Sequence, residues 1–176
     1  MRHVQKRGEP RTITETRQAS TTNLATPESA RDAFNQIDKP QVRRQLASEQ
    51  EWLCAFCMRR IDENDVRGGE HTMKIAHRTP ISTDPPQALT WKNLLGSCDG
   101  GQRSGGLHCT CDLSQGPEQL GVDPTERTHV DQLEYRHRDV RGGLFVESAS
   151  GRFEVDLEGH FFDRPVGARA AGVDIY

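Results

Sequence analysis

The residues best suited to chemistry are five cysteines in two clusters and a histidine between them. CAFC, residues 54–57, is a C-x2-C pair, which places two sulfur atoms on one tight turn. The second cluster is SCDGGQRSGGLHCTC, residues 97–111. Two such clusters in a small polar chain are typical of a tetrahedral structural zinc site, so we predict bound Zn²⁺.

The predicted ligand set has three firm members and one open place. The firm members are Cys54, Cys57 and Cys98. The fourth ligand is Cys111 or Cys109, with His108 as a further alternative. The cysteines could instead be buried free thiols or a redox pair, but a redox C-x2-C normally has a strand–helix context and no second cluster.

The histidine of KIAHRTPIS, residues 74–82, lies between the two cysteine clusters. A zinc ion would close residues 58–97 into a loop and contribute folding energy, so we expect the chemistry to lie between its two half-sites. Many metal-dependent nucleases carry an acidic residue directly before such a histidine, but here Ala76 precedes His77. The simpler interpretation is an ordinary histidine in the turn before Pro80.

Composition limits the class of protein. The chain has 176 residues, 33% hydrophobic residues and a net charge of −3, with a mean hydropathy of −0.78. These values favour a small core stabilised by a metal or a partner. Residues 1–60 hold 11 Lys/Arg against 7 Asp/Glu and residues 113–176 hold 7 against 12, so a globally basic nucleic-acid binder is not indicated. No apolar run has the length of a membrane span, and the first ten residues are too polar for a signal peptide, so we expect a cytoplasmic protein.

Hydrophobic periodicity predicts an α+β fold in three parts. Residues 1–26 are expected to form an extended arm that docks on a partner. Residues 27–120 are expected to hold two helices, interrupted at Lys39–Pro40, and then a metal-stapled core with a strand at TMKIAH. Residues 121–176 are expected to form a β-rich extension, because 134–158 alternate as strands or hairpins do.

The order of motifs resembles one known family. C-x2-C, strand-histidine, NLL and a second cysteine cluster resemble an HNH (ββα-metal) endonuclease. The opening MRHVQKRGEPRTITETR and the segments CAFCMRRI, MKIAHRTPIS, LTWKNLLGSCDGGQ, CDLSQG and YRHRDVRGGLFVESASGRFEVDLE are similar to the PtuB-type HNH proteins of Septu anti-phage systems and related retrons. The resemblance covers about residues 1–18 and 45–158, and after Glu158 the sequence departs from the family.

The resemblance implies a role for each matched residue. His77 matches the general base, Asn93 the asparagine that braces its loop, and Asp112 the last ligand of a catalytic Mg²⁺ or Mn²⁺. The structural zinc set would be Cys54, Cys57, Cys98 and Cys111. Gln115 falls where a phosphate-contacting lysine is common, and we assign Arg78 and Lys92 as further nucleic-acid contacts.

Ala76 departs from the family pattern, which has an acid there that binds the catalytic ion. Alanine cannot coordinate a metal, so activity is expected to be strongly reduced. Either the chain is a natural member without the acid or a glutamate has been replaced by design. A third alternative is that Glu70 or Asp99 supplies the ligand.

The resemblance also implies partners. PtuB-type proteins act with an ABC/SMC-like ATPase, PtuA, and on nucleic acid, with DNA as the first expectation. In retrons, the reverse transcriptase and its RNA–DNA product are further partners. Two alternatives remain from the residues themselves: a non-catalytic zinc adaptor that binds nucleic acid or the ATPase, and a zinc-knuckle transcription regulator. The regulator is disfavoured because no basic recognition helix is evident.

Overall fold

The fold was analysed in a computed structural model. It describes residues 1–100, 111–117, 120–137, 144–148, 151–155 and 161–163. The helices are α1 (Arg11–Gln18), α2 (Pro27–Asn35), α3 (Lys39–Glu49), α4 (Asp112–Gln115) and α5 (Arg127–Asp131). The strands are β1 (Val66–Arg67), β2 (Glu70–His71), β3 (Lys74–His77), β4 (Leu94–Ser97), β5 (Glu134–His137), β6 (Leu144–Ser148), β7 (Gly151–Val155) and β8 (Phe161–Asp163).

All strand pairs are antiparallel, in three sheets: β1–β2, β3–β4 and β5–β6–β7–β8. Mixed helices and small sheets confirm the α+β class. The predicted strand at TMKIAH forms as β3, and the predicted β-rich segment 134–158 forms β5 to β7. Within the described residues, no helix is both long and apolar enough to span a bilayer.

The two predicted helices form, and their start signals explain the break between them. Thr26 caps α2, since its hydroxyl accepts a hydrogen bond from the Ser29 amide at 3.2 Å. Asp38 caps α3 by accepting from the Gln41 amide at 3.2 Å. Pro40 lies in the first turn of α3, where its missing amide hydrogen leaves no helical bond unmade.

Residues 1–26 differ from the extended arm that was predicted, because α1 forms inside them. Ile13 is fully buried, and the Val4 amide donates to the Pro124 carbonyl at 2.7 Å. A helix of eight residues with one buried side chain gives almost no periodic signal, and packing supplies most of its stability. The division of the chain at residues 26 and 120 stays a prediction.

Around the first cysteine pair and before β3, the chain forms only short β pairings. Leu53 and Arg60 form a single β-bridge. Residues 66–71 form the β1–β2 hairpin, whose turn residues Gly68 and Gly69 both have positive φ, at 59° and 81°. Such a turn matches the twist of the two strands it joins and favours glycine.

The N-terminal segment is held by a buried cation. Lys6 Nζ donates to the Leu94 carbonyl at 2.6 Å, lies 3.5 Å from Glu49 Oε2, and sits 3.9 Å from the centre of the Trp91 ring. Burial lowers the pKa of Lys6 to about 8, although the charge of Glu49 opposes that shift. The side chains of Lys6 and Glu49 are 6% and 0% exposed, so each charge depends on the other.

Replacing Glu49→Gln should therefore destabilise the fold by about 3 kcal/mol, because it leaves the buried Lys6 without its counter-charge. Urea unfolding followed by circular dichroism measures this loss. The matched control is Glu51→Gln, which breaks the exposed pair with Arg2 and should cost less than about 1 kcal/mol. Equal losses in the two variants would show that the buried pair has no special weight.

Candidate functional site

Four cysteine sulfur atoms converge at one point. The Sγ–Sγ distances are 3.9 Å for Cys54–Cys111, 3.8 Å for Cys57–Cys98 and 3.6 Å for Cys98–Cys111. All four ligand atoms lie within 4.8 Å of one another. Zn–S bonds of about 2.3 Å in a tetrahedron require sulfur atoms about 3.8 Å apart. The four thiols thus fit a zinc ion, which would act here as a structural crosslink.

Local backbone structure aims the first cysteine pair at the second. The Met58 amide donates to the Cys54 carbonyl at 3.1 Å, which closes the turn, and Met58 adopts a positive φ of 63°. The Ala55 amide donates to the Gly96 carbonyl at 3.0 Å and fixes that turn against β4. The Cys98 amide, just after β4, donates to Cys54 Sγ at 3.4 Å, as is common around metal thiolates.

The crowding of the thiols makes their ionisation interdependent. The contact with Cys54 is the largest influence on Cys111, and together with Cys57 and Cys98 it raises the pKa of the Cys111 thiol. Burial opposes ionisation of Cys54, but its contacts with Cys111, Cys57 and Cys98 lower its pKa well below the ordinary value. Four thiolates this close repel one another, so full ionisation requires a bound cation.

Of the alternatives for the fourth ligand, the structure brings Cys111 into the cluster. Its sulfur atom contacts those of Cys54 and Cys98. The two other candidates, Cys109 and His108, lie outside the described residues. Cys111 directly precedes α4, so a zinc ion would anchor the start of that helix.

His77 ends β3, and its ring is held on two sides. Its Nε2 lies 3.1 Å from the Ala88 carbonyl oxygen, and the Phe34 ring packs edge-on with centroids 4.6 Å apart. Burial lowers the pKa of His77 to about 4, and the hydrogen bond with Ala88 opposes that shift only in part. The imidazole is therefore neutral at pH 7. A carbonyl can only accept, so Nε2 carries the proton and Nδ1 keeps its lone pair.

Asn93 ties together the two ends of the loop that follows His77. Its Oδ1 accepts from the Thr79 amide at 2.8 Å, and its Nδ2 donates to the carbonyls of Thr79 at 3.0 Å and Gln87 at 3.2 Å. The Arg78 amide also donates to the Asn93 carbonyl at 2.9 Å. Asn93 is 1% exposed, so these buried bonds define the position of the loop.

Helix α4 lies against the end of β3. The buried Gln115 donates through Nε2 to the carbonyls of His77 at 3.2 Å and Arg78 at 2.8 Å. This internal role differs from the phosphate contact predicted for Gln115. Asp112, also on α4, lines a cavity of about 270 Å³, and burial, together with the charge of Cys54, raises its pKa to about 6.

Ala76 lies in the hydrophobic core. It is 1% exposed and pairs with Leu95 across the β3–β4 ladder. Of the carboxylates considered as substitutes, Glu70 forms an ion pair with Lys74 at 3.0 Å, and Asp99 lines a different cavity, beside Arg60. In the part of the chain that is described, the four cysteines are the only group of three or more potential metal ligands. The cavity that Asp112 lines has Lys39, Arg43 and Lys74 in its wall and no second carboxylate among the described residues, so it does not fit a divalent catalytic ion.

The two predicted cationic contacts have different surroundings. Arg78 Nε lies 3.2 Å from Asp123 Oδ2, so the two side chains form an ion pair. Their geometry is not that of a hydrogen bond at Nε. Lys92 is exposed. Their assignment to nucleic acid stays a prediction.

Two groups that position His77 leave little signal in the sequence. Ala88 contributes its backbone carbonyl, which no side chain reveals. Phe34 has the helical spacing of a core residue, and only the fold shows its contact with His77. Hydrophobic periodicity cannot distinguish such an aromatic side chain from ordinary core.

Comparison with known proteins supports the family resemblance. The chain is 27% identical over 111 residues to the Septu protein PtuB of Bacillus thuringiensis. The chain resembles PtuB. It is also 26% identical over 110 residues to a retron Ec83 protein of Escherichia coli that is assigned as an HNH endonuclease. The resemblance to PtuB-type HNH proteins predicted from the sequence is thereby confirmed.

The match covers only part of this chain and a smaller part of each relative. It covers 62% and 60% of this chain, but only 40% and 39% of the two relatives. No family model matches the chain. The names of these relatives are consistent with a nuclease, which is a hydrolase.

Metal analysis of the purified chain should find about one zinc ion per chain, held by four thiolates. Cys111→Ser should lose most of that zinc and destabilise the fold, because the metal supplies folding energy. Cys109→Ser is the matched control and should retain the metal. Loss of zinc from the Cys109 variant, with retention in the Cys111 variant, would contradict the ligand set.

Acid should destabilise the fold through His77. Above pH 6.5 the imidazole is neutral in both states; as the pH falls towards about 4, the unfolded chain takes up a proton that the folded chain does not. The free energy of unfolding should therefore fall by up to roughly 3 kcal/mol across that window. His77→Gln should lose this part of the pH dependence in urea unfolding series. An unchanged acid dependence in the variant would contradict the lowered pKa.

Proposed function

We propose that this chain is an HNH-type nuclease that hydrolyses phosphodiester bonds, with His77 as the general base. The observation that carries the proposal is the state of His77: a neutral imidazole, oriented by the Ala88 carbonyl, at the end of a strand between the two halves of a cysteine cluster. A base for hydrolysis must be unprotonated and oriented at neutral pH. The names of the two relatives support the same class of reaction.

In the proposed reaction, Nδ1 of His77 removes a proton from the attacking water. The oxygen of that water forms a bond with phosphorus, and the bond from phosphorus to the leaving oxygen breaks. Protonation at Nδ1 creates an imidazolium, which the hydrogen bond from Nε2 to Ala88 stabilises. A pKa lowered by burial keeps the base free of protons before reaction.

Asn93 and Gln115 serve as positioning residues. They hold the backbone from His77 to Thr79: Asn93 through Thr79, and Gln115 through the carbonyls of His77 and Arg78. Small displacements of a general base reduce rates strongly, because reacting atoms must be aligned. The β3–β4 hairpin followed by α4 gives the strand–strand–helix order that an HNH core would have.

The biological setting follows from the relatives. We infer that the chain takes part in anti-phage defence, that an ABC/SMC-like ATPase of the PtuA type controls it, and that DNA is its substrate. If its system is a retron, a reverse transcriptase with its RNA–DNA product would be a further partner. Mg²⁺ or Mn²⁺ is the catalytic ion that the HNH class implies, and Asp112 stays the proposed ligand for it.

A second candidate function is a non-catalytic zinc adaptor that binds nucleic acid or the ATPase. The observation that favours it is Ala76, which lies in the core where the family pattern has a metal-binding acid. A carboxylate there without a metal would be buried at a high cost, and alanine avoids that cost.

Plasmid cutting with Mg²⁺ or Mn²⁺, with and without the ATPase, tests the two candidates. If the chain is a nuclease, His77→Ala should lower cutting by at least about 100-fold, while zinc content and circular dichroism stay unchanged. Arg127→Ala, at an exposed residue of α5 outside the proposed site, is the matched control and should retain most of the activity.

Ala76→Glu extends this assay. Cutting by that variant alone, lost again on His77→Ala, would show a nuclease whose acid is absent. Cutting by the unmodified chain as well would show that another group replaces the acid. No cutting by a folded, zinc-containing Ala76→Glu chain, with the ATPase bound, would favour the adaptor.

A further inference from the structure

A cavity of about 270 Å³ opens beside the cysteine cluster, and three cationic side chains line it. Lys39 and Arg43 come from the first two turns of α3, and Lys74 comes from β3. Asp112 and Cys98 lie in the same wall. The chain is acidic overall, so this concentration of positive charge is local and arises from the fold.

Among the described residues, two of these cations have no carboxylate partner. Lys39 Nζ donates to the side-chain oxygen of Asn35 at 2.7 Å and lies 5.1 Å from the centre of the Phe34 ring. Arg43 Nε donates to the Met73 carbonyl at 3.2 Å. Across the described residues, neither forms an ion pair with Asp or Glu.

The surroundings of these two cations strengthen their attraction for an anion. Burial lowers the pKa of Lys39, and the nearby charge of Arg43 adds to the shift. Burial also lowers the pKa of Arg43. Both shifts mean that the charged forms are partly desolvated, so an anion in the cavity would be attracted more strongly than at an open surface.

The cavity adjoins the proposed general base. Phe34 lines it and packs edge-on against the His77 ring. Ile75, two residues before His77 on β3, lines the same wall, so both side chains face one side of that strand. A group bound in the cavity would thus be separated from His77 by the Phe34 ring.

We propose that Lys39, Arg43 and Lys74 form a binding site for a backbone phosphate of nucleic acid beside His77. The proposal rests on the nucleic-acid function proposed above and assigns the contact to α3. It also explains the poor fit of the cavity to a divalent cation: Asp112 is the one carboxylate of the described lining, against Lys39, Arg43 and Lys74, of which only Lys74 has a carboxylate partner, Glu70. Arg43 suits a phosphate best, because its planar guanidinium can offer parallel N–H donors.

A second cavity extends this surface along the cysteine cluster. It has a volume of about 130 Å³, and Cys98 lines it as well as the first cavity. Its three arginines, Arg59, Arg60 and Arg67, share the wall with Asp65 and Asp99, and Arg67 pairs with Asp65 at 3.1 Å. This second cavity is therefore only weakly cationic, and the proposed phosphate contact is confined to the first.

Equilibrium binding without divalent ions tests the site separately from cutting. Fluorescence anisotropy with short labelled duplex and single-stranded DNA, over a range of salt concentrations, measures affinity and its salt dependence. Lys39→Gln and Arg43→Gln should each weaken binding and lower the slope of log K against log salt, by about 0.9 for duplex or 0.7 for single strands per lost phosphate contact. Arg127→Gln, which removes one exposed cation from α5, is the matched control and should leave the slope unchanged.

Three results would overturn the proposal. The first is absence of binding by the unmodified chain to either DNA. The second is an unchanged slope in Lys39→Gln and Arg43→Gln together with reduced zinc retention, which would mean that these cations only neutralise the thiolates. The third is loss of ATPase binding in Lys39→Gln and Arg43→Gln while their DNA binding stays intact, which would show that this surface contacts a protein. A chain that binds DNA through these residues but never cuts it would keep this site and reject the nuclease.

Discussion

The convergence of four thiols is the constraint on which the rest of the structure depends. It joins the turn at Cys54 and Cys57 to the end of β4 and the start of α4, three segments far apart in the sequence. Without a cation the cluster cannot hold four negative charges, and with one it becomes a crosslink. Because only 33% of the residues are hydrophobic, the core is small, and such a crosslink would contribute much of the free energy of folding.

That crosslink frames a small polar network around His77. The β3–β4 pairing fixes the strand, Asn93 fixes the loop after it, and Gln115 joins both to α4. The Ala88 carbonyl accepts from Nε2 of His77, so the imidazole has one favoured tautomer. Burial also lowers the pKa of His77 to about 4, which keeps the imidazole neutral before any reaction but makes it a weaker base.

The charged side chains around the proposed site are mostly positive, whereas a metal-dependent nuclease needs carboxylates to hold its ion. Position 76 is apolar and buried, one carboxylate is present at Asp112, and three cations face the cavity beside it. This arrangement attracts anions more readily than divalent cations. The proposed binding of nucleic acid and the proposed cutting of it therefore make different demands on this chain, and the charges of its described residues suit the first more fully.

The sequence by itself determined the metal cluster, the two central helices and the strand ending in His77. These features have local causes: C-x2-C spacing, helix caps at Thr26 and Asp38, and a short apolar run. Tertiary structure decided the rest. It selected Cys111 among the described residues, placed Ala76 in the core, supplied the Ala88 carbonyl and Phe34 to His77, and brought α3 cations to the cavity. These outcomes depend on contacts between residues distant in sequence, and periodicity and spacing report only on near neighbours.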